Sequence, residues 1–377
     1  MISVQIGLPD PAVSDAFDAL ARRAAPNAFM HPAALAAVVE SGFARLHVLQ
    51  AWHGEGSARA LVGLWALGQT RVARLGPSIL TAPPYDYSFV GNAVVDPDHV
   101  DAVMPAFFDC IARTPTLPKV IRLKLIDADA PTFGPMMAAL ATRRGQVLRL
   151  AEQPRPFLAR EADRKRSGST AKKLRQDWNK LSAQGAVDIA NERSVEAVGA
   201  AFEIFLDMER KSWKGANGTA LLSDDDDADF ARRLISNLAA VRNASVALLR
   251  VDGKPIAAQV LLYCGAMAYT WKTAYDAAFS KFSPGALLVD KVSDALFASG
   301  VTQIESCATQ ESFMAQLWTG RRATVELLLD LGAEKSAAFA AAHLGERAFA
   351  FAREWRDRLR SRTGVPPRRK TVAITRG

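Results

Sequence analysis

The stretch WKTAYDAAFSKFSPGALLVDKV, residues 271–292, decides how the second half of the chain folds. It opens with a β-type pattern that predicts a strand ending at Tyr275 and Asp276, continues in a short polar loop, and becomes apolar again after Pro284 and Gly285. Proline suits the first turn of a helix, and glycine allows close approach of the backbone. The stretch therefore predicts a strand, a loop and a helix start in this order.

The segments around this joint extend the pattern to the order βααβββαβαβ. A hairpin turn is predicted at Asp252-Gly253, because Asp-Gly between two apolar runs is a strong turn signal. The helices are predicted at 194–213, at 224–242 with Ser223 as its cap, at 285–299 and at 311–318. The strands are predicted at GAVDIANE (185–192), SVALLRV (245–251), PIAAQVLLYC (255–264), AMAYTWKTAYD (266–276), TQIESCA (302–308) and ATVELLLDL (323–331).

The first half repeats the same order more faintly, as expected of a diverged structural repeat. Its strands are predicted at 2–8, 45–52, 59–68, 86–95, 119–126 and 146–151, and its helices at 11–24, 32–40, 98–112 and 131–143. A Pro-, Arg-, Lys- and Ser-rich segment at 152–169 predicts a linker, which leads into a basic helix. The predicted fold class is α/β (α+β), with two tandem domains that each have a mixed, mostly antiparallel sheet flanked by helices. The predicted domains are 1–151, a linker and helix at 152–184, 185–332, and a C-terminal helix and basic tail at 333–377.

The composition favours a globular protein, with 49% hydrophobic and 23% charged residues among 377. No apolar run approaches the length of about 18 residues needed for a membrane span, and the N-terminus has no signal-peptide pattern, so a cytoplasmic location is expected. Cys110, Cys264 and Cys307 lie far apart, which excludes a disulfide framework and a CxxC zinc site. The five histidines have no metal-ligand spacing, and no metal is predicted. The DDDD run at 224–227 reads as a solvated first helical turn.

The net charge of +8 is concentrated in two segments. Between 155 and 180 there are nine basic residues: Arg155, Arg160, Arg164, Lys165, Arg166, Lys172, Lys173, Arg175 and Lys180. Between 353 and 376 there are nine more: Arg353, Arg356, Arg358, Arg360, Arg362, Arg368, Arg369, Lys370 and Arg376. The two segments hold three and two acidic residues, so an anionic partner is expected.

The element order, together with WKTAYD followed by SPGALL, resembles the GNAT acyltransferases, and in particular the CelD/BcsL-type acetyltransferases of exopolysaccharide and cellulose biosynthesis. Those proteins, like the FemX peptidyltransferases, carry two GNAT-like halves. The resemblance extends through most of residues 160–330 and includes Trp213-Lys214-Gly215, DGKPIAA (252–258) and Trp318. The first half resembles them in layout only.

The resemblance implies acetyl-CoA or another acyl-CoA as co-substrate, with its pyrophosphate on the backbone N–H groups at the start of the helix. The residues expected to bind it are Lys281, Ser283, Gly285 and Ala286. Because N-acylation needs a base and an acid, Glu305 is the first choice for the base, Asp276 the second, and Tyr275 the candidate acid. The residues expected to bind the acceptor are Trp213, Lys214, Trp271, Lys272 and Trp318.

The predicted function is therefore acyl-CoA-dependent N-acylation of an amino group on a surface-polysaccharide or envelope-lipid precursor. A long-chain amine, as in bacterial sphingolipid assembly, is a close variant. The alternatives are a FemX-like aminoacyl-tRNA-dependent peptidyltransferase and an effector that binds a cyclic dinucleotide through PPRRK (366–370) in the tail. The expected partners are the amine-bearing precursor and an anionic membrane surface at the inner membrane, and no DNA partner is predicted.

Overall fold

The computed structural model describes residues 1–9, 11–56, 59–73, 76–159, 163 and 168–363. The first half follows the predicted order, with one short extra strand. Its elements are β1 (Ile2–Ile6), α1 (Pro11–Ala21), α2 (Pro32–Glu40), β2 (Leu46–His53), β3 (Ala60–Arg71), β4 (Ser78–Ala82), β5 (Val94–Val95), α3 (Val100–Arg113), β6 (Val120–Asp127), α4 (Phe133–Thr142) and β7 (Gln146–Leu158).

The second half also follows the predicted order, after the basic helix. Its elements are α5 (Ser169–Ser182), β8 (Val187–Ala190), α6 (Val195–Lys211), α7 (Trp213–Ala216), α8 (Asp225–Ala240), β9 (Ala244–Val251), β10 (Lys254–Cys264), β11 (Met267–Tyr275), α9 (Pro284–Ala298), β12 (Gln303–Glu305), α10 (Met314–Leu317), β13 (Arg321–Asp330) and α11 (Ala337–Thr363).

The chain forms two compact units that are not contiguous in sequence. Unit 1 comprises residues 1–7, 44–152 and the chain from Val325 onward, and unit 2 comprises residues 8–43 and 153–324. The sheet of unit 1 has the order β1-β2-β3-β4-β6-β13, with β5 paired to β3. The sheet of unit 2 has the order β7-β12-β11-β10-β9-β8, in which β11 and β12 are parallel and the other pairs antiparallel. The predicted fold class, mixed and mostly antiparallel sheets flanked by helices, is confirmed.

These units divide the chain differently from the predicted domains 1–151 and 185–332. Residues 8–43 belong to unit 2, where Phe43 stacks on Phe230 of α8 and the Tyr269 hydroxyl donates to the Pro26 carbonyl (2.7 Å). The last strand of each half also divides: residues 153–158 of β7 lie in unit 2, and residues 325–330 of β13 lie in unit 1. Tertiary pairing of this kind leaves no local trace in the sequence.

Three local predictions were wrong. Of the strand predicted at 86–95 only the two-residue β5 forms, and the longer strand β4 lies earlier and ends at Ala82, before Pro83 and Pro84, which have no N–H for a strand ladder. The cap of α8 is Asp224 rather than Ser223, because the Asp224 carboxylate accepts from the N–H groups of Asp226 and Asp227. The linker predicted at 152–169 is partly strand, because β7 continues to Leu158.

Among the residues that the structure describes, no helix is long and apolar enough to cross a membrane. Within the same ranges, no three His, Cys, Asp or Glu side chains are grouped as ligands for a metal ion. Arg160, Arg164, Lys165 and Arg166 of the first basic segment lie outside the described residues, and so does the tail 364–377, including PPRRK.

Candidate active site

The start of α9 has the features of an anion site. Ser283 precedes the helix in the left-handed conformation (φ 53°, ψ 46°), and its carbonyl accepts from the N–H groups of Ala286 (2.9 Å) and Leu287 (3.1 Å). Pro284 has no N–H, and the Gly285 N–H has no acceptor among the described residues. A helix N-terminus with an unused donor attracts negative charge.

A lysine from another helix borders the same helix start. Lys173 of α5 donates from Nζ to the Ser283 hydroxyl (2.9 Å) and also to the Asp177 carboxylate. Lys281, in the 3₁₀ turn Ala277–Phe282 before α9, is exposed, and its ammonium lies 4.9 Å from the centre of the Phe282 ring. One lysine therefore contacts the start of α9 directly, and a second, Lys281, lies in the turn just before it.

Gly285 is needed for close packing as well as for its N–H. A Cβ atom placed there would lie 3.3 Å from Tyr275 Cδ1 and 3.6 Å from Thr273 Cγ2, both on β11. Tyr275 is the last residue of β11, and its exposed side chain lies beside the helix start. Helix α9 and the end of β11 are thus in direct contact.

Asp276 caps the 3₁₀ turn. Its Oδ1 accepts from the Ala278 N–H (2.9 Å), and its Oδ2 lies 3.6 Å from Lys254 Nζ. One carboxylate oxygen of Asp276 holds the turn and the other lies beside a lysine. This geometry suits a residue that positions the loop better than one that accepts a proton.

The strands β11 and β12 separate beside this loop. Their parallel pairing joins only Met267–Tyr269 with Gln303–Glu305, after which Thr270 Oγ1 donates to the carbonyls of Glu305 (3.2 Å) and Ser306 (2.9 Å). Opposite β10 the register shifts, so that Trp271 is an extra residue between Thr270 and Lys272. A bulge of this kind re-aims the side chains next to it and is frequent beside active sites.

Lys272, directly after the bulge, belongs to a cluster with Glu209 and Lys214. The Glu209 Oε1 accepts from Lys214 Nζ (2.8 Å) and lies 3.6 Å from Lys272 Nζ, while its Oε2 accepts from the Leu221 N–H (2.9 Å). Glu209 is fully buried, and the Lys272 side chain is 11% exposed. Successive strand residues face opposite sides, so Lys272 faces α6 whereas Thr273 faces α9.

The cluster changes the acidities of its members. Burial lowers the pKa of the Lys272 amine to about 8, although the Glu209 carboxylate opposes this shift. Burial would raise the pKa of Glu209, but Lys272, Lys214 and the Leu221 N–H outweigh it, and the pKa of Glu209 lies below its usual value. Lys272 is therefore an amine whose two protonation states are both accessible near neutral pH.

Glu305 occupies a buried ion-pair network. Its side chain is 0% exposed; its Oε2 accepts from Arg322 (2.8 Å), and its Oε1 accepts from the Cys307 N–H (3.1 Å) and lies 3.5 Å from Arg155. Both oxygens are engaged by donors from the protein itself. This geometry fits a structural carboxylate better than the general base predicted from sequence.

Of the remaining predicted site residues, some are exposed and others are buried. Trp213 at the start of α7 is exposed and adjoins Lys214, and Trp271 is buried at the bulge. Trp318 is 0% exposed and lies in the hydrophobic core with residues of α9, so it fits core packing rather than an acceptor channel. Ala286 lies in the first turn of α9.

Sequence reasoning missed Glu209 and Arg322, and it placed Arg155 in a basic segment for an anionic partner, whereas Arg155 is buried beside Glu305. A signal for Glu209 exists, because Phe202, Phe205 and Glu209 share the buried helical stripe of α6. An acidic residue on an apolar stripe predicts a buried charge that needs a partner.

Residues 168–313 match the family model of an acetyltransferase (GNAT) domain. This range extends from the start of α5 through the α9 start, the bulge and Glu305. The search of curated proteins found no match.

Solved structures extend the similarity of fold to most of the chain. FemX matches with a TM-score of 0.57 at 10% identity, covering 86% of this chain and 96% of that one. The C-terminal DUF2156 domain of a protein described as a lysylphosphatidylglycerol synthetase, from Agrobacterium fabrum, matches with a TM-score of 0.52 at 15% identity, covering 89% and 95%. A conserved protein of unknown function from Bacteroides thetaiotaomicron matches with a TM-score of 0.54 at 11% identity, covering 87% and 100%. At these identities the matches establish the fold alone.

Proposed function

We propose that the protein is an acyl-CoA-dependent N-acyltransferase whose acceptor is an amine on a surface-polysaccharide or envelope-lipid precursor. The observation that carries the proposal is the start of α9, where no described residue accepts from the Gly285 N–H and Lys173 contacts Ser283. It lies beside the separated part of β11, inside the stretch that matches the GNAT domain model. A thioester donor held there by its phosphates would direct its acyl group toward this separation.

The residues can divide the reaction as follows. The acceptor nitrogen attacks the thioester carbonyl, so that a C–N bond forms, the C–S bond breaks, and the amine loses a proton. Neutral Lys272, with its pKa of about 8, accepts that proton, because a base works best when its pKa is close to the working pH. Tyr275, at the end of β11, is the candidate donor of a proton to the leaving thiolate.

The acceptor side of the site gains positive charge during the reaction. While Lys272 is neutral, the Lys214 ammonium and the Glu209 carboxylate balance each other, and Lys272 becomes a second cation once it has accepted the proton. Trp213 adds an exposed aromatic face beside them. An amine acceptor that also bears a phosphate or carboxylate would be held by this arrangement.

A FemX-like transfer from aminoacyl-tRNA is the second candidate. One specific observation favours it: α5 carries Lys172, Lys173, Arg175 and Lys180, and it contacts both α9 and the turn before it. The FemX structure has the same fold over most of the chain. Several cations on the helix beside the donor loop would suit the many phosphates of an RNA donor.

The experiment that separates these functions measures donor use directly. The purified protein is incubated with acyl-CoAs of different chain length and with amine acceptors, and release of the CoA thiol is followed with a thiol reagent. We expect amine-dependent thiol release. Transfer from aminoacyl-tRNA without any thiol release from acyl-CoA would replace the proposal by its alternative.

Gly285→Val is expected to weaken CoA binding at least tenfold in calorimetry, which corresponds to about 1.4 kcal/mol. The valine side chain would begin 3.3 Å from Tyr275 Cδ1 and would displace either the tyrosine or the helix start that offers the N–H. Gly199→Val is the matched control, since a Cβ at Gly199 meets nothing within 4 Å. A Gly285→Val protein that binds CoA as tightly as the control would mean that the α9 start does not hold the donor.

A further inference from the structure

Helix α11 packs on unit 1 through one face of its first half. Phe339 and Ala342 are buried in a cluster with Ile79, Val120 and Leu328. Glu346, one turn further along, accepts from Arg122 of β6 (2.6 Å). The face of α11 that carries positions 339, 342 and 346 is therefore committed to its own unit.

A second, apolar face of α11 is exposed. Leu344 is 64% exposed, Phe351 68% and Trp355 57%, and the rings of Phe351 and Trp355 stack with centroids 6.4 Å apart. At the α-helical repeat, these three residues lie within about 40° of one another around the helix and about 140–180° from Ala342. This apolar stripe, Leu344, Phe351 and Trp355, thus faces away from the packed side.

The sequence around the apolar stripe is strongly basic. From Arg347 to the end of the chain, ten residues are Lys or Arg, and only Glu354 and Asp357 are acidic. An exposed row of Leu, Phe and Trp next to many arginines is the pattern of a helix that lies in a lipid interface, where rings enter the headgroup region and guanidinium groups reach phosphates. Each basic residue near an anionic lipid surface adds to the attraction.

The same sequence disfavours a second helix as the occupant. A helix–helix seam would need apolar residues to continue at alternating steps of four and three residues after Leu344. That pattern passes through Ala348, Phe351 and Trp355, but its next two positions are Arg358 and Arg362. A seam between helices disfavours arginine at such positions, whereas a helix on a lipid surface commonly carries it.

We propose that α11 is a membrane-docking helix, which binds the surface of an anionic lipid bilayer through the apolar stripe and the arginines around it. The stripe enters the interface parallel to the membrane plane. Docking does not depend on the transferase function, because it needs neither donor nor acceptor.

Vesicle co-sedimentation without acyl-CoA tests the proposal. The full chain is expected to bind vesicles of phosphatidylcholine with phosphatidylglycerol at least tenfold more tightly than vesicles of phosphatidylcholine alone, with the difference shrinking at high salt. Replacing the two rings together, Phe351→Ser with Trp355→Ser, should weaken binding to the anionic vesicles at least tenfold. The matched control is Ile204→Ser with Val241→Ser, two exposed apolar residues of unit 2, which should bind like the wild type.

Two further measurements keep the test decisive. Charge reversal by Arg347→Glu with Arg358→Glu leaves the apolar stripe intact and should also weaken binding, most at low salt. Light scattering without lipid should give the same molar mass for wild type and the Phe351→Ser, Trp355→Ser variant. Equal vesicle binding by both, no preference for anionic lipid, or a wild-type dimer that the variant fails to form would overturn the proposal, the last by making the stripe a contact between copies of this chain.

Discussion

Lys272→Met is expected to lower kcat/KM for amine acylation by roughly 10²-fold or more, the usual contribution of a general base, while CoA binding stays near the wild-type value. Methionine approximates the length of the lysine stem and removes the amine that faces Glu209 beside the bulge of β11. Lys211→Met is the matched control, since Lys211 lies on α6 in an exposed ion pair with Asp207. Such pairs contribute little, so the control should retain full activity.

The dependence of kcat/KM on pH distinguishes a basic role of Lys272 from a purely electrostatic one. Burial lowers its pKa to about 8, so the neutral form dominates above that pH and is lost as the pH falls below it. If Lys272 is the base, kcat/KM should therefore rise with pH and level off above about 8. Glu209→Gln removes a carboxylate that raises the pKa of Lys272, so the midpoint should move to lower pH. A profile that falls above pH 8 would instead assign Lys272 to the stabilisation of negative charge in its protonated form.

Glu305→Gln is expected to lower the free energy of unfolding by about 3–5 kcal/mol, the range for breaking a buried ion pair from one side. The substitution would leave Arg322 and Arg155, whose side chains are 10% and 5% exposed, without their shared carboxylate. Denaturant unfolding measures the loss. Asp188→Asn is the control, because the Asp188–Arg250 pair on β8 and β9 is exposed and should cost no more than about 1 kcal/mol.

The same variant decides between two roles for Glu305. A structural carboxylate predicts lower stability together with nearly normal turnover per folded molecule. If Glu305→Gln unfolds like the wild type but loses turnover, then the sequence-based assignment of Glu305 as the base is correct and Lys272 has a supporting role.

Local signals predicted the elements of this fold well. The Asp252-Gly253 turn joins β9 to β10 with both residues at positive φ, and Pro284 starts α9, because both signals depend only on neighbouring residues. The repeated order of elements also follows from local patterns. Local patterns do not show which residues share a unit, because the packing of residues 8–43 against α8 and β11 depends on contacts between distant parts of the chain.

Only the local part of the candidate site could be predicted from the sequence. The donor loop lies within one stretch of sequence, so its residues could be named together. The environments of Lys272 and Glu305 depend on Glu209, Arg155 and Arg322, which come from other elements and which no local pattern connects to them.

Because unit 2 combines residues 8–43 with residues 153–324, its first helices are synthesised long before the residues that they contact. The hydrogen bonds from Tyr269 to Pro26 and between Asn243 and His31 join residues that are 243 and 212 positions apart. At a translation rate of about 5–20 residues per second, α1 and α2 wait roughly 10–50 s on the ribosome before these partners are made. During that interval Phe17, Leu20 and Leu35, which are fully buried in the finished protein, have no completed core to enter. Unit 2 therefore becomes complete only after its last residues, up to Thr324, have been synthesised.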